Sequence, residues 1–161
     1  IHSCKRKDIF EAQEKIFFRR VSANLLAAYD DQQFFALNTL VVMTLKQHDI
    51  DLKYVLGVFN SKLMNFIYRK KFKSTKTVFS EIQARSVGML PMKVNIIYEK
   101  RISSIVSKIL SMKKKEKDTF DLENQIDFLV YHLYGLTYDE VLIVDPDTPI
   151  SREEYEAYKG E

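Results

Sequence analysis

The sequence predicts an α+β fold: a small antiparallel or mixed sheet flanked by one helix, followed by a helical C-terminal segment. Three observations predict it. Short runs of aromatic and branched residues, punctuated by turn formers, crowd the first 45 positions. An apolar stripe at three- and four-residue spacing begins at Leu52. From Val94 onward the apolar pattern is helical, with Gly, Thr, Ser and Pro at positions where helices stop and start.

In order along the chain, residues 1–12 are polar and read as a tail. EKIFFRRVS (14–22) reads as a strand, Leu25 to Tyr29 as a second, and Phe34 to Leu45 as a third with Asn38-Thr39 as a possible break. Tyr29-Asp30-Asp31-Gln32 supplies a turn, because aspartate carboxylates accept hydrogen bonds from nearby backbone amides. Three strands joined by short turns suggest an antiparallel meander. Asp49 or Asp51 then opens a helix with Leu52, Val55, Leu56, Phe59, Leu63, Phe66 and Ile67 on one face. Gly57 inside it costs about 1 kcal/mol relative to Ala. Val78 to Val87 reads as another strand, ended by Gly88 to Pro91.

A long helix is predicted from Val94, with Tyr98, Ile102, Ile105, Ile109 and Met112 spaced like a short coiled-coil seam. Lys113 to Lys117 is a charged exit and a candidate hinge. Leu122, Ile126, Leu129, Val130, Leu133 and Tyr134 form the next stripe, and Gly135 is placed to stop it in the left-handed conformation. Thr137 and Glu140 match a capping box, Asp145 to Pro149 ends that helix, and Ser151 with Glu154 caps a last one. The pattern divides the chain into residues 1–93, an N-terminally truncated α+β region, and 94–161, a helical segment packing on it. A first residue of Ile rather than Met reads as a fragment.

The net charge of +3 hides an asymmetry: residues 1–117 hold 23 Lys and Arg against 10 Asp and Glu, whereas residues 118–161 hold 2 against 12. A basic body favours an anionic partner such as nucleic acid, which the acidic end would repel. The other reading is that the two halves attract each other within the fold. No apolar run is long enough to span a membrane, and Cys4, the one cysteine, reads as a free thiol compatible with a reducing cytoplasm.

Several chemistries lack their motifs. There is no Gly-rich phosphate loop, no GxGxxG, no GxSxG, and no Asn/Asp-Pro-Pro-aromatic tetrad of an amino-methyltransferase. His2, His48 and His132 lie far apart without metal-pair spacing. Asp145 and Asp147 could hold Mg²⁺ in a nuclease, but their Pro-rich setting suits a turn. The fragment is therefore expected to have no catalytic residues, no metal site and no cofactor of its own.

The basic features suit DNA better. Residues 61–80 contain six basic residues and no acidic one. Arg69, Lys70, Lys71, Lys73 and Lys76 could neutralise phosphates. Arg19 and Arg20 are neighbours on a predicted strand, so they face opposite ways; one could reach DNA while the other pairs with an acid. Arg85, on the later predicted strand, could read guanine through a two-pronged contact. The alternative to a DNA module is an assembly module using the 98–112 seam.

Four segments together resemble a known family: EKIFFRRVSANLLAAYDDQQFFALNTL (14–40), KYVLGVFNSKLMNFIY (53–68), FSEIQARSVGMLPMK (79–93) and IDFLVYHLYGLTYDEVLIV (126–144). Their order resembles the C-terminal specificity domain of TaqI-like and type IIG restriction–modification enzymes. The resemblance implies a bacterial restriction system in which this region recognises double-stranded DNA. It also implies an upstream adenine-N6 methyltransferase domain using S-adenosylmethionine, often accompanied by a Mg²⁺-dependent endonuclease.

Overall fold

The computed structural model describes residues 7–37, 39–45, 50–72 and 80–160. The architecture is α+β, as predicted. Helix α1 (Lys7–Phe10) precedes strands β1 (Lys15–Arg19), β2 (Val21–Ser22), β3 (Ala27–Asp30) and β4 (Leu40–Met43). Helices α2 (Leu52–Asn60) and α3 (Lys62–Phe72) follow, then β5 (Ser80–Glu81) and α4 (Ala84–Gly88). Four further helices complete the chain: α5 (Ile96–Lys113), α6 (Phe120–Tyr134), α7 (Tyr138–Val144) and α8 (Arg152–Ala157).

The sheet is not the expected meander. Its order is β3-β1-β4, so β1 is central and antiparallel to both neighbours. The segment from Asp31 to Thr39 therefore has to carry the chain from one edge of the sheet to the other. Phe34, Phe35 and Leu37 lie in this crossing and are exposed, and among the described residues of the predicted third strand only Leu40–Met43 is extended ladder. A fully buried ion pair explains the turn that starts the crossing. Lys15 Nζ lies 2.8 Å from Asp30 Oδ2, and Asp30 also accepts from the amides of Gln32 (2.9 Å) and Phe34 (3.0 Å). One carboxylate thus neutralises a buried cation and shapes the turn.

The predicted first strand breaks at Arg20, and β2 leaves the main sheet to pair with β5. Of the predicted strand over 78–87, Val78 and Phe79 lie outside the described residues and Ser80–Glu81 is strand; residues 84–88 are helical, which moves Arg85 from a strand to a short helix.

The 51–68 helix opens at Asp51, whose side chain accepts from the Lys53 amide at 2.8 Å. It then divides at Ser61. That residue is extended, and its hydroxyl donates to Val58 O (2.7 Å) while accepting from the Met64 amide (3.2 Å). Ser61 thus ends one helix and caps the next. The buried face of α2 meets the sheet through Phe59, which packs edge-on against Phe18 at 5.3 Å, and meets α5 on its other side. Gly57 permits that second contact: a Cβ there would lie 2.6 Å from Ile102 Cγ2 and 3.0 Å from Val106 Cγ2. The glycine that weakens α2 as an isolated helix is what lets α5 approach it.

The C-terminal helices match their sequence signals closely. Asn95 caps α5, Gly135 stops α6 at φ 74°, the Thr137–Glu140 capping box is complete, and Ser151 caps α8. The 113–117 exit is a hydrogen-bonded turn, with the Lys115 and Lys117 amides both donating to Met112 O, rather than an open hinge. One hydrophobic core runs through both halves of the chain, from Ile16 and Phe18 to Val141 and Tyr155.

Candidate nucleic-acid interface

The structure leaves Arg19, Arg69, Lys70, Lys71 and Arg85 exposed. Arg19 ends β1 and is exposed. Its neighbour Arg20 is the one that pairs with an acid, binding Glu81 on β5, while the Ile82 amide donates to Arg20 O at 2.6 Å. This contact ties the small β2–β5 ribbon to the break in the first strand. Arg69, Lys70 and Lys71 occupy the exposed last turn of α3, where cations also complement the negative end of the helix dipole.

Two contacts join this turn to its surroundings. Arg69 Nη1 lies 3.5 Å from Asn24 Oδ1 in the loop after β2, and Lys71 Nζ lies 3.4 Å from Met89 O just beyond α4. Arg85 is exposed on α4. Lys73 and Lys76 lie outside the described residues.

Not every cation of the basic body belongs to this surface. Lys15 is buried against Asp30. Lys62, within the basic 61–80 run, reaches across to Asp145 at 2.7 Å, and Lys113 binds Glu123 at 2.8 Å. The acidic end thus partly neutralises the basic body inside the fold. Asp145 also lies 3.4 Å from the Tyr131 hydroxyl. It therefore has a structural partner on two sides, which suits a turn better than a nuclease site. Among the described residues, no group of three His, Cys, Asp or Glu is placed to hold a metal ion.

Asp127 is the most perturbed acid. Burial pushes its carboxyl up to about 7, against the opposing hydrogen bond from the Lys62 amide (2.8 Å) and the Lys62 charge. It acts as a cap for the first turn of α3, supplied by another helix. Burial lowers the pKa of His132, whose ring stacks on Tyr155 at 4.0 Å and meets Phe128 edge-on at 4.6 Å. This histidine is a core aromatic, with its Nε2 enclosed and without a hydrogen-bond partner.

The seam that suggested an assembly module is largely used within the chain. Ile102, Val106 and Ile109 are buried among α2 and α6, and Tyr98, Ile105 and Met112 are half-buried.

Sequence reasoning missed the asparagine brackets that hold the sheet end in place. Asn60 donates to Ala27 O and accepts from the Ala27 amide, both at 2.9 Å. Asn65 accepts from the Leu25 amide at 2.8 Å and donates to Leu25 O at 3.3 Å. Both asparagines thus pair with the backbone leading into edge strand β3, and cover polar groups that would otherwise invite another strand. The signal was present: asparagine is a poor helix former, and two occur within six residues of a helical stripe.

Comparison with known proteins defines the class. A profile of the TaqI-like C-terminal specificity domain matches residues 1–92, more than half of the chain. The chain belongs to this family of specificity domains. A protein of Methanocaldococcus jannaschii, whose name describes a type II restriction enzyme and methyltransferase, is 32% identical over 136 residues, which are 79% of this chain and 12% of that relative. The chain therefore spans only a small part of the relative's length. No helix among the described residues is long and apolar enough to cross a membrane.

Proposed function

We propose that this chain is the sequence-specific DNA-recognition domain of a restriction–modification enzyme. Membership of the specificity-domain family carries the reading. The exposure of Arg19, Arg69, Lys70, Lys71 and Arg85 supports it, because duplex DNA is bound chiefly through its phosphates. In this reading residues 1–93 form the recognition region and 94–161 form a helical support packed behind it. Catalysis belongs to other domains of a longer parent, an adenine-N6 methyltransferase with or without an endonuclease. S-adenosylmethionine, and Mg²⁺ where cleavage occurs, would serve those domains. The parent would act on duplex DNA in the cytoplasm.

Mobility shifts across a salt series test the reading. The chain should bind duplex DNA weakly, with affinity falling steeply as salt rises, since each phosphate contact releases about one counterion. Lys70→Glu with Lys71→Glu should abolish the shift. Absence of binding at low salt, or binding indifferent to salt, contradicts the reading.

A further inference from the structure

Four large aliphatic side chains stand exposed near candidate contact cations: Val21 (56%), Leu26 (50%), Leu37 (81%) and Met89 (48%). Backbone contacts place each beside a cation. Leu26 O accepts from the Arg19 amide at 3.1 Å. Leu37 O accepts at 3.2 Å from the amide of Leu40, the residue paired with Arg19 across β1 and β4. Val21 follows Arg20 and is paired with Glu81, the acid that Arg20 binds. Met89 O lies 3.4 Å from Lys71 Nζ.

Single exposed apolar residues are ordinary on any protein surface. These four differ in their company, because cations are interleaved with them. The other exposed pair in the crossing, Phe34 and Phe35, has no such cation contact among the described residues: Phe35 stacks on Phe10 at 5.6 Å, and the Phe34 amide donates to Asp30.

Electrostatic attraction brings phosphates to the cations but assigns no role to an aliphatic side chain. On the base edges of the major groove the apolar group is the thymine C5-methyl. None of the four side chains is an aromatic ring suited to stacking on a base. Resting on the DNA-recognition reading, we propose that Val21, Leu26, Leu37 and Met89 form an apolar reading surface for thymine methyl groups in the major groove, held in register by the flanking cations on the phosphates. Covering a methyl-sized apolar group is worth about fourfold in affinity.

Fluorescence anisotropy with the 161-residue chain at low salt tests this. The probes are two duplexes of the same mixed sequence, one with thymine and one with deoxyuridine throughout, which differ only in the C5-methyl groups. The thymine duplex should bind about fourfold or more tightly. Leu37→Ser with Met89→Ser should reduce that preference toward unity and leave the salt slope unchanged, since both positions are exposed and lie outside the core.

Salt-dependent binding that ignores the methyl groups would overturn the apolar contact alone. Serine variants that kept the thymine preference of the wild type would overturn it as well. Failure of the chain to bind either duplex would overturn the DNA reading together with this proposal.

Discussion

The sheet end and the C-terminal helical layer of this chain are built on opposite plans. In the helical layer, α6 to α8, the helix ends are closed by local signals: the glycine stop, the capping box and the Ser151 cap. Aromatic rings fill the space behind them, with Phe128, His132, Tyr155 and Tyr158 in mutual contact. The sheet end depends instead on long-range polar contacts: Lys15 to Asp30, Asn60 to Ala27, Asn65 to Leu25 and Arg20 to Glu81. Local closure fixes each helix end from within a few residues of its own sequence. Long-range brackets hold irregular segments still, and irregular segments can present varied side chains on a constant scaffold.

The contrast is tested most severely at Lys15. Lys15→Met should cost about 3–5 kcal/mol in urea unfolding, because it leaves the Asp30 carboxylate buried without its cation. A loss below about 1 kcal/mol would mean that the sheet end does not depend on this pair. The second test is the seam between the regions. Gly57→Val should cost roughly 2–3 kcal/mol by thermal or urea unfolding, because the neighbouring Cγ2 atoms belong to β-branched side chains that turn with difficulty in a helix. Gly57→Ala should also lose stability, although alanine is the better helix former by about 1 kcal/mol. A gain on Gly57→Ala would show that the helices can separate without penalty.

Asp127 joins the regions electrostatically, and its pH dependence has a definite sign. Its pKa is raised from the ordinary value near 3.8 to about 7 by burial, so the folded state binds the proton more tightly than the unfolded chain. Its contribution to stability is full below pH 4 and is lost as pH rises to about 7. Asp127→Asn keeps an acceptor for the Lys62 amide and removes the charge. The variant should match the wild type near pH 4 and exceed it at pH 8 by on the order of 2 kcal/mol in paired urea titrations. His132 contributes in the opposite sense in both proteins, losing stability as pH falls below about 6.5, and cancels in the difference. Equal stabilities at pH 8 would place the Asp127 carboxylate in a better solvated setting.

The same contrast governs what could be read from the sequence. The helical layer was legible almost residue by residue, because Gly135, the Thr137–Glu140 box and Ser151 act within four residues of their own positions. The sheet end was legible in composition but not in topology. Nothing local in 14–45 says that β1 is central; that follows from the crossing that begins at Asp30 and from the burial of Ile16 and Phe18 against α2. Arg85 was misplaced for a related reason. Residues 78–87 have strand-like composition, but β5 ends at Glu81 and the chain turns into α4 directly after it. The cations were singled out by charge, but which of them are used inside the fold required coordinates: Lys15 and Lys62 read no differently from Lys70.

The smallest expected change in stability belongs to the surface with the largest proposed role. Lys70 and Lys71 are exposed in the last turn of α3, and their nearest contacts are the rings of Phe66 and Phe72 and the carbonyl of Met89. Such exposed contacts contribute little, so Lys70→Glu with Lys71→Glu should shift stability by no more than about 1 kcal/mol, mainly through the helix dipole. Thermal unfolding of this variant beside Lys15→Met separates the two kinds of cation. A large loss at both would make every cation of the sheet end structural, and would remove the physical reason for assigning DNA to that face. A large loss at Lys15 alone would leave the α3 cations available for phosphates, on an end whose shape does not depend on them.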